Sequence, residues 1–276
     1  RRTLASIAEA AGRGVHSGGL ARVRLLPAPD GAGVVLRRND LPGAPEIPAT
    51  LDALVASELE RRTTLAAGGA RVHTVEHILS AAYGLGVDDM IVELDGPEPP
   101  FLDGSARPYV DLMQAAGLRD LPSTVEPVAL SRPLGFNLGE AGYTVLPSQD
   151  FRVTFFFASD EPLLRRQTAS LVVTPESYGR EIAPARTFCF FREIEALQRA
   201  GLIGGGTLAS AVVIGRKAIL NESLRFADEP VRHKILDFIG DLALLGRPVT
   251  GHFLVARGGH QTNAAFGQFL RKELGL

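Results

Sequence analysis

The sequence is poor in cysteine and in long hydrophobic runs. Cys189 is the only cysteine among 276 residues, which excludes an intramolecular disulfide framework and is typical of a reducing compartment. We expect it to be a small buried hydrophobe. No apolar run approaches the roughly 18 to 20 residues of a membrane span, and the opening stretch RRTLASIAEAAGRG lacks the hydrophobic region of a secretory signal. We therefore expect a cytoplasmic protein without a transmembrane segment.

The sequence also lacks an excess of charge of one sign. Its 29 basic and 31 acidic residues give a formal net charge of -2 and are interspersed, without a run of like charge. This balance disfavours nucleic acid or an anionic membrane surface as a partner. The length allows one large or two medium domains with an ample core, and we expect a packed globular monomer.

Two similar series of predicted elements follow each other along the chain. Residues 1–120 combine strands, such as DMIVELD, with the helical stretches TVEHILSAAYGL, which we expect Thr74 to cap, and PYVDLMQAAG. Prolines then cluster around residues 118–128, which we interpret as a linker. Residues 126–276 again place strands, such as FRVTFFF, before helices. This order predicts an α+β fold with two domains, 1–120 and 126–276.

One predicted helix, within FADEPVRHKILDFIGDLALLG (226–246), carries its polar residues on a single stripe. At about 100° per residue, the apolar residues occupy one arc. The opposite arc holds His233, Lys234, Asp237 and Asp241. A solvated helix face is one interpretation of this stripe. The other is a metal site, because His233 and Asp237 are four residues apart and point the same way.

The stretch HTVEH (73–77) offers further ligands at the start of another predicted helix. Its pattern matches the H-x-x-E-H of the inverzincin metallopeptidases, in which His73 and His77 would both bind metal. Alternatively, His77 joins His233 and Asp237 as the three protein ligands of a catalytic zinc. Glu76 is then free to take a proton from water. The pattern alone leaves both interpretations open.

Seven blocks, in order along nearly the whole chain, resemble one known family. They are GRGVHSG (12–18), RTTL (62–65), VHTVEHILSAAYGLGVDD (72–89), PEPPFLDGSARPYV (97–110), PARTFCFFREIEALQRAGLIGG (184–205), AILNESLRFADEPVRHKILDFIGDLALLG (218–246) and GGHQTN (258–263). On these blocks the sequence is similar to the zinc-dependent UDP-3-O-acyl-N-acetylglucosamine deacetylases, which carry out the committed step of lipid A synthesis. The resemblance implies hydrolysis of the N-acetyl group of this small molecule to acetate and a free amine.

The resemblance also implies an architecture and a metal site. The fold would be α+β with two similar domains, each a β-sheet packed on two helices. The helices would face each other, with the metal site between the domains. One Zn²⁺ per chain would be bound by His77, His233 and Asp237, and Glu76 would be the general base.

Four further residues match catalytic positions of the family. By resemblance, the hydroxyl of Thr187 would help the metal hold the oxyanion, and Lys234 would lie near the developing charge. His260 would be a cation that protonates the leaving amine, and Asp241 would keep it charged.

Substrate contacts follow from the same resemblance. The apolar segment at about 185–215 would be an insert that encloses the 3-O-acyl chain, whereas core packing is the alternative interpretation. His16 would lie at the rim of the site. The residues expected to contact the substrate are Phe188, Phe190, Ile194, Leu202, His16 and Arg257.

The sequence departs from the family pattern at three places. Ala209 stands where the family has an aspartate after the diglycine of the insert, and Thr63 or Thr64 stands where it often has a cysteine. Residues 156–160 replace an Asp-Phe-x-His-Pro pattern. Because Ala209 and residues 156–160 lie where the family handles its sugar nucleotide, the alternative function is a paralogue that acts on, or only binds, a different acylated amino sugar.

Overall fold

The computed structural model describes residues 1–276 and has an α+β fold, as predicted. Its first large sheet has five strands: β2 (Ala8–Arg13), β3 (Leu20–Pro27), β4 (Val34–Arg38), β5 (Glu46–Pro48) and β8 (Met90–Leu94). Their spatial order is β2-β3-β8-β4-β5, and only β4 and β8 run parallel. Two short antiparallel pairs lie outside it, namely β1 (Arg2–Leu4) with β9 (Leu118–Asp120) and β6 (Leu65–Ala67) with β7 (Ala70–Val72).

The second large sheet has six strands: β10 (Val128–Ala129), β11 (Leu134–Leu138), β12 (Ala141–Leu146), β13 (Phe151–Ala158), β14 (Arg166–Val172) and β17 (Val249–Ala256). Their order is β11-β12-β17-β13-β14, with β10 pairing to β17. A separate two-stranded parallel sheet joins β15 (Phe188–Phe190) to β16 (Val212–Ile214). This small sheet lies within the predicted insert.

Alternating burial explains how the second sheet forms one face of the core. In β17 the residues at 249, 251, 253 and 255 are buried and those between them are half-buried, which is the period of two that a strand requires. In β12, Tyr143 and Val145 are buried and lie opposite Val255 and Phe253 of β17. The aromatic ring of Tyr143 stacks on Phe266 with centroids 4.5 Å apart.

The helices are α1 (Glu76–Leu85), α2 (Arg107–Ala116), α3 (Pro175–Ser177), α4 (Ile194–Arg199), α5 (Glu229–Leu242) and α6 (His260–Leu274). No helix combines the length and hydrophobicity that a membrane crossing needs. Both α1 and α5 are buried almost all round. The solvated-face interpretation of the stripe on α5 is therefore wrong: His233, Asp237 and Asp241 are at most 4% exposed, because α1 packs against this helix.

The predicted linker is shorter than expected. Its first residues, 118–120, form β9 and pair with β1 at the opposite end of the same half of the chain. The two large sheets take their strands from residues 8–94 and 128–256. Buried apolar side chains from both halves nevertheless form one core cluster of 49 residues. The division into domains 1–120 and 126–276 stays a prediction.

Gly240 allows the close approach of α1 and α5. A Cβ atom at this position would lie 2.2 Å from the carbonyl oxygen of Glu76, so the two helices could not keep their spacing. We expect Gly240→Ala to lower the free energy of unfolding by about 1–3 kcal/mol, the usual cost of overpacking. Urea unfolding measures this. The matched control is Gly179→Ala, where the added Cβ meets no atom within 4 Å, and an equal loss in both variants would contradict the packing argument.

Candidate active site

Three buried side chains meet where α1 and α5 pack together. His77 comes from the first turn of α1, and His233 and Asp237 come from α5. Their potential ligand atoms all lie within 4.8 Å of one another. His233 Nε2 and Asp237 Oδ1 are 3.3 Å apart, as expected for residues four apart on a helix. The structure thus brings together the three predicted metal ligands.

The protonation states of these side chains suit metal binding. His233 Nδ1 lies 2.9 Å from the carbonyl oxygen of Ala185, so Nδ1 carries the proton and Nε2 keeps a free lone pair. Burial, aided by His233, lowers the pKa of His77 to about 3. Burial opposes ionisation of Asp237, but Lys234 and His233 outweigh it and hold its pKa well below the ordinary value. The cluster therefore offers the neutral imidazole of His77, Nε2 of His233 and the carboxylate of Asp237.

Glu76 lies beside the cluster but is not part of it. Its side chain is 2% exposed, and Oε2 accepts a hydrogen bond of 2.9 Å from the backbone N–H of Thr63. Burial raises the pKa of Glu76 to about 7; His260 opposes the shift, and the carboxylates of Asp237 and Asp241 add to it. A carboxylate with a pKa near neutrality can both accept and return a proton.

His260 and Asp241 form a buried pair that Thr63 connects to Glu76. His260 Nδ1 lies 2.9 Å from Asp241 Oδ2. The same carboxylate accepts hydrogen bonds from Asn263 Nδ2 (2.8 Å) and from the hydroxyl of Thr63 (2.5 Å). Burial disfavours the imidazolium, but Asp241 outweighs it, and the pKa of His260 is raised to about 9. His260 is thus cationic at neutral pH.

Lys234 and Thr187 complete the polar part of the site. Lys234 Nζ donates to Asp237 Oδ2 at 2.7 Å, which leaves Oδ1 of the carboxylate towards His233. Thr187 is placed by its backbone, because its N–H donates to the carbonyl of Gly104 and its carbonyl accepts from Val212. Glu229 of α5 holds the preceding residue by accepting from the N–H of Arg186 at 2.9 Å.

One cavity of about 740 Å³ is lined by seven of these residues, namely Glu76, His77, Thr187, His233, Lys234, Asp237 and His260. Asp241 lies behind His260. Apolar side chains of the predicted insert line the same cavity: Phe188, Phe190, Phe191, Ile194, Ile203, Leu208, Ala211 and Val213. His16 and Arg257, two of the expected substrate contacts, also line it. The structure therefore joins the metal cluster to an apolar space.

One predicted substrate contact, Leu202, lies outside the cavity lining. It follows α4, where its N–H donates to the carbonyl of Leu197. The chain then turns at Ile203, which has a positive φ of 52° and whose side chain faces the cavity instead. Ala209 is exposed and also lies outside the lining. Cys189 is only half-buried and lines the cavity, so the expectation of a buried cysteine was wrong.

Sequence reasoning missed two residues that contact the site. Thr63, in the block RTTL, donates from its backbone N–H to Glu76 and from its hydroxyl to Asp241. Phe101, in the block PEPPFLDGSARPYV, stacks on the ring of His77 with centroids 5.7 Å apart. Neither spacing nor residue type marks these two positions, since both contacts depend on how distant loops pack.

Backbone strain is concentrated around the cavity. Six residues other than glycine have a positive φ, and four of them line it: Arg61, Thr74, Ile203 and Arg257. Strained conformations of this kind cluster at binding and catalytic sites. The backbone therefore marks the same cavity as the buried polar groups do.

A second, open pocket of about 340 Å³ adjoins Arg257. Its lining consists of Ala158, Ser159, Asp160, Arg165, Arg166 and Arg257. Residues 158–160, which depart from the family pattern, thus lie next to three guanidinium groups. Such a group of arginines is suited to a phosphate or a diphosphate.

The chain resembles known proteins over its whole length. A family described as UDP-3-O-acyl N-acetylglycosamine deacetylase matches residues 1–272. The chain is 42% identical over 264 residues to the UDP-3-O-acyl-N-acetylglucosamine deacetylase of Myxococcus xanthus (strain DK1622), covering 95% of this chain and 83% of that protein. It is 43% identical over 266 residues to the protein of the same name from Anaeromyxobacter dehalogenans (strain 2CP-C), covering 96% and 85%. The match includes both α1 and α5, which carry the metal cluster.

Proposed function

Because the chain belongs to the UDP-3-O-acyl N-acetylglycosamine deacetylase family, it is a deacetylase of lipid A biosynthesis, and we propose that it works with one Zn²⁺ held by His77, His233 and Asp237. The observation that carries this assignment is the convergence of their ligand atoms within 4.8 Å. Two imidazoles and one carboxylate are a donor set that zinc prefers, and they leave a fourth position open. The metal supplies Lewis acidity, which activates water and polarises the acetamide carbonyl.

Glu76 is the general base in this proposal. It takes a proton from the water that attacks the acetamide carbon of UDP-3-O-acyl-N-acetylglucosamine. Its burial, its pKa of about 7 and its place beside the ligands support this role. The hydroxyl of Thr187 and the ammonium group of Lys234 stabilise the negative charge that develops on the former carbonyl oxygen.

His260 protonates the leaving group. An amine leaves only after its nitrogen has gained a proton, so the C–N bond breaks once His260 donates one. Asp241 supports this role by keeping His260 cationic, with Thr63 and Asn263 fixing the carboxylate. The products are acetate and a free amine on the sugar.

The two pockets suit the two ends of the substrate. The apolar lining contributed by residues 185–215 would take the 3-O-acyl chain, with Phe188, Phe190 and Ile194 in contact with it. Arg257 lines both pockets, and with Arg165 and Arg166 it would bind the diphosphate of the UDP group. The charge of the substrate and its long apolar chain are thereby matched by separate surfaces.

The alternative functions have less support. A peptidase of the H-x-x-E-H type needs His73 as a ligand, but Nδ1 of His73 lies 3.0 Å from the hydroxyl of Thr64 and the residue is outside the metal cluster. A paralogue with another substrate was suggested by Ala209 and by residues 156–160. Ala209 is exposed and outside the cavity, whereas residues 158–160 line the second pocket.

We also propose that residues 1–120 and 126–276 are two domains with the metal between them, since His77 comes from the first and His233 and Asp237 from the second. A monomer is the simplest functional unit, because one chain supplies every residue of the proposed site. The single cysteine favours a cytoplasmic enzyme.

Metal analysis combined with acetate release tests the proposal. We expect the wild-type protein to bind one Zn²⁺ and to release acetate from UDP-3-O-acyl-N-acetylglucosamine. His77→Ala should lose the metal and reduce the rate by at least about a hundredfold, since removing a ligand exceeds the effect of an outer-sphere change. His73→Ala is the matched control and should keep both. Loss of metal in His73→Ala, or its retention in His77→Ala, would contradict the ligand assignment.

A further inference from the structure

Thr74 has an unusual conformation for a β-branched residue. Its φ is 57°, a left-handed value that threonine rarely adopts. The sequence predicts that its hydroxyl caps α1, but this prediction is wrong: the N-cap is Val75, and no side chain caps the helix. The strained backbone instead leaves the Thr74 hydroxyl without a partner, although the residue is only 6% exposed and lines the cavity.

His16 presents a second buried donor to the same cavity. Its Nδ1 accepts a hydrogen bond from the N–H of Ile203 at 3.4 Å, so the neutral ring carries its proton on Nε2. Nε2 has no partner, and His16 is 8% exposed. Burial lowers the pKa of His16 to about 4, so the ring is neutral near pH 7. Buried polar groups without a partner are rare in folded proteins and call for a ligand.

The turn that contains Pro97 and Glu98 brings Thr74 and His16 to the same wall of the cavity. The carbonyl of Pro97 accepts from the N–H of His73, and the carboxylate of Glu98 accepts from the N–H of His16. Thr74 directly precedes the segment with Glu76 and His77. His16 contacts the insert, because its carbonyl accepts from the N–H of Gly204. This wall therefore lies between the metal cluster and the apolar insert.

The charge of the wall selects a neutral ligand. Glu98 is 3% exposed and its carboxylate accepts from the backbone of His16, while the charge of Arg62 acts on His16 with the opposite sign, so neither sign of charge dominates here. The two free donors are a neutral imidazole N–H and a hydroxyl, which suit an uncharged oxygen. In the proposed substrate the ester at sugar carbon 3 is the uncharged group that joins the acetamide end at carbon 2 to the acyl chain.

We propose that the hydroxyl of Thr74 and Nε2–H of His16 bind the carbonyl oxygen of the 3-O-ester of the substrate. This inference rests on the proposed deacetylase function. A carbonyl oxygen has two lone pairs and can accept both bonds. The contact fixes the substrate where the acyl chain enters the insert, so it acts on substrate binding and leaves the hydrolytic step unchanged.

Thr74→Val removes the hydroxyl and keeps the shape of the side chain. We expect KM for the ester substrate to rise between about three- and tenfold, as for the loss of one hydrogen bond between uncharged groups, with kcat within about twofold. With a 3-O-alkyl ether analogue, which has no carbonyl, wild type and Thr74→Val should have the same KM. Thr74→Ser should restore the KM of the ester. The melting temperature of Thr74→Val should not fall below that of the wild type, because the lost hydroxyl has no partner in the free protein.

The matched control is Thr64→Val, whose buried hydroxyl already bonds Glu58 and His73. It should lower the melting temperature and leave KM for both substrates unchanged. An unaltered KM in Thr74→Val, or an increase that persists with the ether, overturns the assignment to the ester carbonyl. If wild type releases no acetate from either compound, the proposed function fails instead, which separates the two outcomes.

Discussion

Replacing Glu76 by glutamine will lower the rate of acetate release by about two to four orders of magnitude while the protein keeps its metal. This is the range that general base catalysis contributes. Glutamine has the shape of glutamate, and its amide oxygen can still accept the hydrogen bond from the N–H of Thr63. What is lost is the ability to take a proton. Because the three proposed ligands remain, metal content should equal that of the wild type.

The measurement is acetate release under saturating substrate, with metal content determined on the same samples. A matched control is Glu93→Gln, which also replaces a buried glutamate but lies in β8, where its partners are Arg24 and Arg37. That variant should keep its rate within about twofold. If Glu76→Gln retains a tenth of the activity, another group is the base. If it loses its metal, Glu76 is a ligand.

The sequence predicted much of this site because helical spacing is strict. His233 and Asp237 are four positions apart on α5, so periodicity alone places them together on one face. The position of His77 opposite them could not follow from spacing, since more than 150 residues intervene. The HTVEH pattern offered His77 as one of two alternatives, the family resemblance favoured it, and the structure brings the three side chains together.

Other details depend on loops, and sequence patterns describe loops poorly. Thr63 bonds Asp241 across 178 positions of the chain, a contact that no local pattern indicates. Thr74 precedes a helix and has the residue type of a cap, yet its backbone adopts φ 57°, its hydroxyl is buried without a partner and the residue lines the cavity. In the turn that follows α4, Ile203 lines the cavity in place of the predicted Leu202. In each case tertiary packing overrides the local preference.

Asp241→Asn should move the alkaline limit of activity. In the wild type, Asp241 raises the pKa of His260 from 6.5 to about 9 against the effect of burial. His260 therefore holds its proton at neutral pH, and kcat/KM should fall as pH rises through about 9. Without this carboxylate, burial lowers the pKa of His260 and only the more weakly acting Asp237 and Glu76 oppose it. We expect the variant to lose its general acid above about pH 6.5 and to be at least about a hundredfold slower at pH 8.

The free energy of unfolding should also decrease as pH rises through the pKa of His260. A histidine whose pKa is raised on folding stabilises the native state fully below its unfolded pKa of about 6.5 and loses this contribution as pH rises through about 9. The wild-type free energy of unfolding should therefore decline between about pH 6.5 and 9, and Asp241→Asn should lack this decline. Asp111→Asn, on the exposed surface of α2, is the control and should behave as the wild type in both measurements. An alkaline limit that stays near pH 9 in Asp241→Asn would show that Asp241 does not hold His260 in its charged form, and the proton donated to the amine would then have to come from Glu76.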